Sequence, residues 1–151
     1  MVLQQITEPV SIIAQSMGGL VAIRAALAAP RMVDRLVLAV TSAGVPVADL
    51  GGSDWRKDYF SAYPGAAPWI ADPTEDLSSR LSSVTAPTLL LWGDNDPISP
   101  VAVGERLLSL LPDAQLCVIP GADHDLALTH TALAARAIEC HLADRRHVGR
   151  T

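Results

Sequence analysis

Apolar residues gather along the chain in four short, nearly continuous runs: Val10–Ala14, Leu36–Thr41, Thr88–Trp92 and Leu116–Ile119. A strand with one face in water alternates apolar and polar positions, whereas an unbroken run suits a strand covered on both faces, as in a parallel sheet. Between and after the runs, apolar positions recur at helical spacing. Leu20, Ile23 and Leu27 share one face, Val103, Leu107, Leu110 and Leu111 another, and Ala134, Ile138 and Leu142 a third near the C-terminus. The alternation reads βαβαβα and predicts an α/β fold, a parallel sheet of about four strands with helices on both faces.

Local start signals support the helices. Ser99-Pro100 offers an N-cap followed by proline at the first helical position. Asp72-Pro73 with Glu75 resembles a capping box, which would launch a short helix carrying Leu77, Leu81 and Val84. Between Ala43 and Ala71 the periodicity lapses into Gly, Pro, Asp and most of the aromatic residues. The chain therefore reads as one domain, 1–151, with an excursion over 43–71. Two accounts of the excursion stand side by side. It is a surface loop with its own small core, or a reduced lid over a pocket, with Trp55, Tyr59, Phe60 and Trp69 as pocket candidates.

Composition narrows the function classes. A chain of 151 residues is long enough to bury roughly 68–70% of its unfolded surface. Half of the residues are hydrophobic and 18% are charged, which excludes a disordered, solvating segment. Sixteen acidic against eleven basic residues give a net charge of −5, and no basic cluster exceeds Arg145–Arg146. The electrostatic footprint of a nucleic-acid binder is thus missing, and a small-molecule partner is expected. Cys117 and Cys140 lie in apolar patterns without metal-ligand or CxxC spacing and read as buried small hydrophobes. No apolar run reaches the ~18 residues of a membrane span and no leader pattern opens the chain. The expectation is a cytoplasmic protein without membrane or cofactor, although Met1 need not be the true beginning.

Chemistry enters at Ser16. It follows the first predicted strand and precedes the first helix, with Ala14 two residues before it and Gly18 two after. Small neighbours suit a sharp strand-to-helix turn that exposes a hydroxyl and sets the Met17 N–H at a helix N-terminus, where aligned peptide dipoles favour a developing oxyanion. A plain serine N-cap on a glycine-opened helix fits the same residues. A serine nucleophile needs a base, usually a histidine steadied by a carboxylate. LLLWGDNDPISP supplies Asp94 and Asp96 after the third strand, and CVIPGADHDL supplies His124 after the fourth. All three groups fall at C-terminal strand ends, where sites collect in open α/β sheets.

The other candidates carry less. Asp94 reads as a turn residue bonding its own backbone. DNDP lacks the later glycine and glutamate of a calcium loop, and no metal site is expected. His130, His141 and His147 read as solvated or helix-face residues, and Asp123 and Asp125 receive no role.

In order, AQSMGG, APTLLLWGDNDPISP and IPGADHDL resemble the nucleophile, acid and histidine segments of the α/β-hydrolase superfamily. The resemblance implies Ser16 as nucleophile, Asp96 as the acid, His124 as the base and the Met17 backbone N–H as an oxyanion donor. Ala14 stands where the family usually has glycine. The resemblance begins at the fifth of the family's eight strands, so no segment corresponds to the loop that gives the family its second oxyanion donor. It implies hydrolysis of an ester, lactone or thioester, with a perhydrolase of the cofactor-free haloperoxidase type as the alternative enzyme. The competing class is an incompetent hydrolase half or an assembly module. In the family's strand order Val10–Ala14 becomes a sheet edge, which implies pairing with a second copy.

Overall fold

A computed structural model describes residues 2–72 and 75–144. The four apolar runs become β1 (Val10–Gln15), β2 (Val33–Ala39), β3 (Thr88–Gly93) and β4 (Ala114–Ile119). They form one parallel sheet in the order β1-β2-β3-β4. Among the described residues five α-helices accompany them: α1 (Met17–Ala28), α2 (Arg56–Ala62), α3 (Val101–Leu110), α4 (Leu126–Thr129) and α5 (Thr131–Ala143). Among the described residues no helix is long and apolar enough to cross a membrane.

The absence of alternation in β3 has the expected cause: all six of its residues are buried, between β2 and β4 and between two helical layers. Leu116 of β4 reaches Gly104 of α3, whereas its neighbour Cys117 lines a concavity with Ala137 and Cys140 of α5. Successive strand residues face opposite sides, so α3 and α5 cover opposite faces of the sheet. Leu36, Leu38, Leu90, Leu91 and Trp92 form the centre of the core, closed by Ile23 of α1 and Leu107 of α3.

Three local expectations are corrected. The helix expected at Ser99-Pro100 starts one residue later, at Val101, and Pro100 is its N-cap residue. Ser99 caps nothing: its hydroxyl is buried without a partner, while its carbonyl accepts the Trp92 indole N–H. The segment carrying Leu81 is a 3-10 helix, Ser78–Ser83, opened by Asp76, whose carboxylate accepts the Ser78 N–H. Leu77, Leu81 and Val84 are all buried as expected, but Pro73 of the proposed capping box lies outside the described residues. Finally, Leu142 is exposed, and α5 faces the core with Ala134, Ala137 and Ile138.

The excursion over 43–71 holds two 3-10 turns, Ala48–Leu50 and Pro68–Ala71, with α2 between them. Trp55, Phe60 and Tyr63 each make a ring contact with Tyr59. The start of the excursion is tied to the body of the domain. The Ser53 N–H donates to the Pro97 carbonyl (2.7 Å), and Arg106 of α3 pairs with Asp49 (3.0 Å).

Candidate active site

β1 ends in a turn that few residues adopt. Ser16 has φ 51° and ψ −125°, a positive φ that costs a side-chain-bearing residue energy. The turn is held from both sides: the Ser16 N–H donates to the Ala39 carbonyl of β2 and the Gly19 N–H to the Ser16 carbonyl, each at 3.0 Å. Ser16 occupies the N-cap position of α1, yet its hydroxyl makes no capping bond. The simple capping account of this serine therefore fails, and the hydroxyl is directed elsewhere.

Its partner is His124, whose Nε2 lies 3.0 Å from Ser16 Oγ. The other ring nitrogen, Nδ1, lies 2.8 Å from Asp96 Oδ2. A carboxylate oxygen offers lone pairs to a donor, so the proton belongs on Nδ1 and Nε2 is left to accept from the serine hydroxyl. The Asp96 side chain is fully buried, while that of His124 is 19% exposed. Burial without partners would be costly for a carboxyl group. Asp96 has three partners: His124 on Oδ2, and the backbone N–H groups of Ile98 (2.8 Å) and Ser99 (3.0 Å) on Oδ1.

Close backbone approaches explain the glycines around this site. A Cβ on Gly18 would sit 3.7 Å from Ala14 Cβ, an ordinary contact, so alanine is accommodated at position 14. At Gly19 a Cβ would come within 2.4 Å of Thr41 Oγ1, and Thr41 is buried in the loop after β2. At Gly93 it would come within 2.1 Å of the Ala122 carbonyl oxygen. The α1 start and the acid loop can seat against their neighbours because these two positions lack side chains.

Met17 is the first residue of α1, so its N–H has no carbonyl one turn back to bond and points with the helix dipole's positive end. Trp55, Tyr59 and Phe60 are partly buried and Trp69 is 61% exposed. Among the described residues no hydrogen bond or ring contact joins any of these four to Ser16, His124 or Asp96.

Asp94 departs from expectation. Its carboxylate accepts the N–H of Gly121, at 2.6 Å and 27 residues away, instead of bonding its own turn. Gln15 carries no role in the sequence reading, yet its side-chain Nε2 donates to the His124 carbonyl at 2.9 Å. The available signal was a single amide closing a largely apolar strand, directly before the serine. Asp123 accepts from the Asp125 N–H before α4 and from the hydroxyl of Thr129, the last residue of α4. His130 bonds Thr129 Oγ1, and His147 lies outside the described residues. His141 is half-buried beside Arg35, and burial, with the Arg35 charge, lowers its pKa from the ordinary histidine value. Among the described residues no group of three or more His, Cys, Asp or Glu side chains is placed to hold a metal ion.

Known proteins resemble this chain in sequence and in fold. The family model for the alpha/beta hydrolase fold matches residues 52–131. A 2-hydroxy-6-oxononadienedioate/2-hydroxy-6-oxononatrienedioate hydrolase of Cupriavidus pinatubonensis is 35% identical over 71 residues, 46% of this chain and 24% of that enzyme. The chain thus matches about a quarter of that relative's length. A bromoperoxidase from Bacillus anthracis superposes with a TM-score of 0.76 at 19% identity, covering 95% of this chain and 71% of the other. A meta-cleavage product hydrolase from Pseudomonas fluorescens IP01 superposes with a TM-score of 0.70 at 21% identity, covering 92% of this chain and 66% of that one. At these identities the structural likenesses show the fold.

Proposed function

Because the chain belongs to the alpha/beta hydrolase fold family, we propose that it is a serine hydrolase forming an acyl-enzyme on Ser16. The observation that carries the reading is the single imidazole of His124, bonded to Ser16 on one nitrogen and to Asp96 on the other. Ser16 Oγ attacks the acyl carbon as His124 Nε2 takes its proton, and Asp96 steadies the resulting imidazolium. The carbonyl oxygen becomes an oxyanion beside the Met17 N–H. His124 then returns the proton to the leaving group, and the same base activates the water that frees the acid and Ser16.

The substrate class we propose is an ester, lactone or thioester. A second reading, hydrolysis of a carbon–carbon bond next to a ketone, is favoured by the name of the Cupriavidus relative. The two share the acyl-enzyme and differ in the leaving group, an alkoxide or thiolate against a stabilised carbanion. A panel of p-nitrophenyl esters, thioesters and a 2-hydroxy-6-oxo dienoate separates them. Turnover with an initial burst that Ser16→Ala abolishes supports the acyl-enzyme, and turnover unchanged in Ser16→Ala overturns it.

Two parts of the reading concern surroundings. The 43–71 excursion is proposed as a lid, with Trp55, Tyr59, Phe60 and Trp69 as its substrate-facing aromatics. A second copy is proposed to pair along β1, an edge strand on which Ile13 is 56% exposed.

A further inference from the structure

His124 stands in a connection, residues 120–125, that has no regular secondary structure between β4 and α4. Its side-chain bonds fix the ring relative to Ser16 and Asp96 but do not fix the backbone from which the ring projects. The backbone is held by three bonds from two other strand ends. The Gly121 N–H donates to Asp94 Oδ1 (2.6 Å), the Asn95 N–H donates to the Ala122 carbonyl (2.9 Å), and Gln15 Nε2 donates to the His124 carbonyl (2.9 Å). Gly121 has φ +74°, a conformation that favours glycine, and a Cβ there would meet open space.

From this arrangement we propose that Gln15 and Asp94 are positioning residues that clamp the histidine loop between the nucleophile strand and the acid loop. Gln15 adjoins Ser16, so its amide fixes His124 relative to the very turn that carries the hydroxyl. Asp94 lies two residues before Asp96, so its carboxylate fixes the same loop relative to the acid. Each tie spans the gap that the corresponding ring-nitrogen bond also spans. A loop free to drift by about 1 Å would lengthen one of those bonds, and misplacement of that size can cost on the order of 100-fold in rate. The chemistry required at each position is specific. At position 15 a donor must face a carbonyl, which an ionised glutamate of the same shape cannot supply. At position 94 an acceptor must face an N–H, which asparagine retains and alanine lacks.

The rate consequence rests on the Ser16 acyl-enzyme reading, whereas the geometric consequence does not. The test uses the full chain with Gln15→Glu, Asp94→Ala and Asp94→Asn, and Gln15→Met should the glutamate variant fail to fold. One arm follows the proton on His124 Nδ1 by NMR. In Gln15→Glu and Asp94→Ala its resonance should broaden or shift while the thermal midpoint stays near the parent's, and Asp94→Asn should restore the parent resonance. The other arm measures the rate of fluorophosphonate capture of Ser16 against pH. It should fall roughly 10- to 100-fold in Gln15→Glu and Asp94→Ala and recover in Asp94→Asn. A parent-like Nδ1 resonance in both Gln15→Glu and Asp94→Ala overturns the clamp. A parent chain that never labels at Ser16 overturns the acyl-enzyme reading instead, and the clamp is then decided by the resonance alone.

Discussion

β3 and β1 are both largely apolar, TLLLWG and VSIIAQ, and each ends in a turn that presents one member of the Ser–His–Asp chain. Their surroundings differ sharply. Every residue of β3 is buried, whereas β1 alternates half-buried and exposed positions along most of its length. β3 is paired on both sides and covered on both faces, whereas β1 is paired on one side and leaves Ser11 and Ile13 on an open face. The acid consequently stands on a finished platform, with Trp92, Ile98 and Ser99 closing its loop. The serine stands on an edge and depends on the Ala39 carbonyl and the Gln15 tie for its place. Apolar composition puts a strand in a sheet, and the count of neighbours decides how firmly its end is held.

The largest expected effect is on the finished side. Asp96→Asn keeps the shape and the two backbone bonds but favours the wrong histidine tautomer, and the rate of Ser16 acylation should drop about 10⁴-fold with the fold intact. Stopped-flow measurement of fluorophosphonate capture checks this, and a larger loss in Asp94→Asn would move the acid. Next is Gly93→Ala, which forces a methyl group against the Ala122 carbonyl. Urea unfolding should show a loss of about 3 kcal/mol, since neither backbone can easily give way. An unchanged midpoint would mean that the β3 platform is softer than its burial implies.

A smaller effect is expected at the opposite end of β3. His141 of α5 shares a small concavity with Thr88, Arg35, Asp113 and Asp144, and burial followed by the Arg35 charge lowers its pKa. A histidine lowered in the folded state binds its proton more readily when unfolded. Its contribution to stability is therefore present above the ordinary value near 6.5 and is lost as pH falls through the lowered folded value. Urea midpoints at about pH 7.5 and about pH 5.5 should show the parent losing more than His141→Gln across that window. The smallest effect on folding energy is expected at β1. Ile13→Lys places a charge on an exposed position and should change stability by no more than about 0.5 kcal/mol, yet it should abolish pairing of two copies in sedimentation at micromolar concentration. Association that persists in Ile13→Lys would rule out β1 as the pairing edge.

Much of this architecture is legible in the sequence because apolar runs become strands: all four are parallel neighbours, although burial on both faces holds for β2 and β3 and not for β1 and β4, where Ser11, Ile13, Gln115 and Val118 are exposed. The positions of Ser16, Asp96 and His124 were legible for a related reason: each follows directly on one of those runs. What escaped depends on contacts between distant parts of the chain. The Gln15–His124 and Asp94–Gly121 bonds join residues 109 and 27 positions apart, and nothing local to either partner signals the other. Ser99 looked like a helix cap because serine stands directly before a proline, but α3 starts one residue later with Pro100 at the N-cap position, and the Ser99 hydroxyl is left outside the cap. Leu142 looked like core by spacing alone, but in the last turn of α5 it is His141 that meets Arg35 and Thr88, and Leu142 is left exposed.

The proposed function turns on whether the strained turn at the end of β1 presents a reactive hydroxyl. The most direct measurement is to treat the full chain with a fluorophosphonate probe, digest it, and locate the adduct by mass spectrometry. A single dominant adduct is expected on Ser16, lost in Ser16→Ala and strongly slowed in His124→Ala. Labelling spread evenly over the serines, or an adduct of equal intensity in Ser16→Ala, would contradict it.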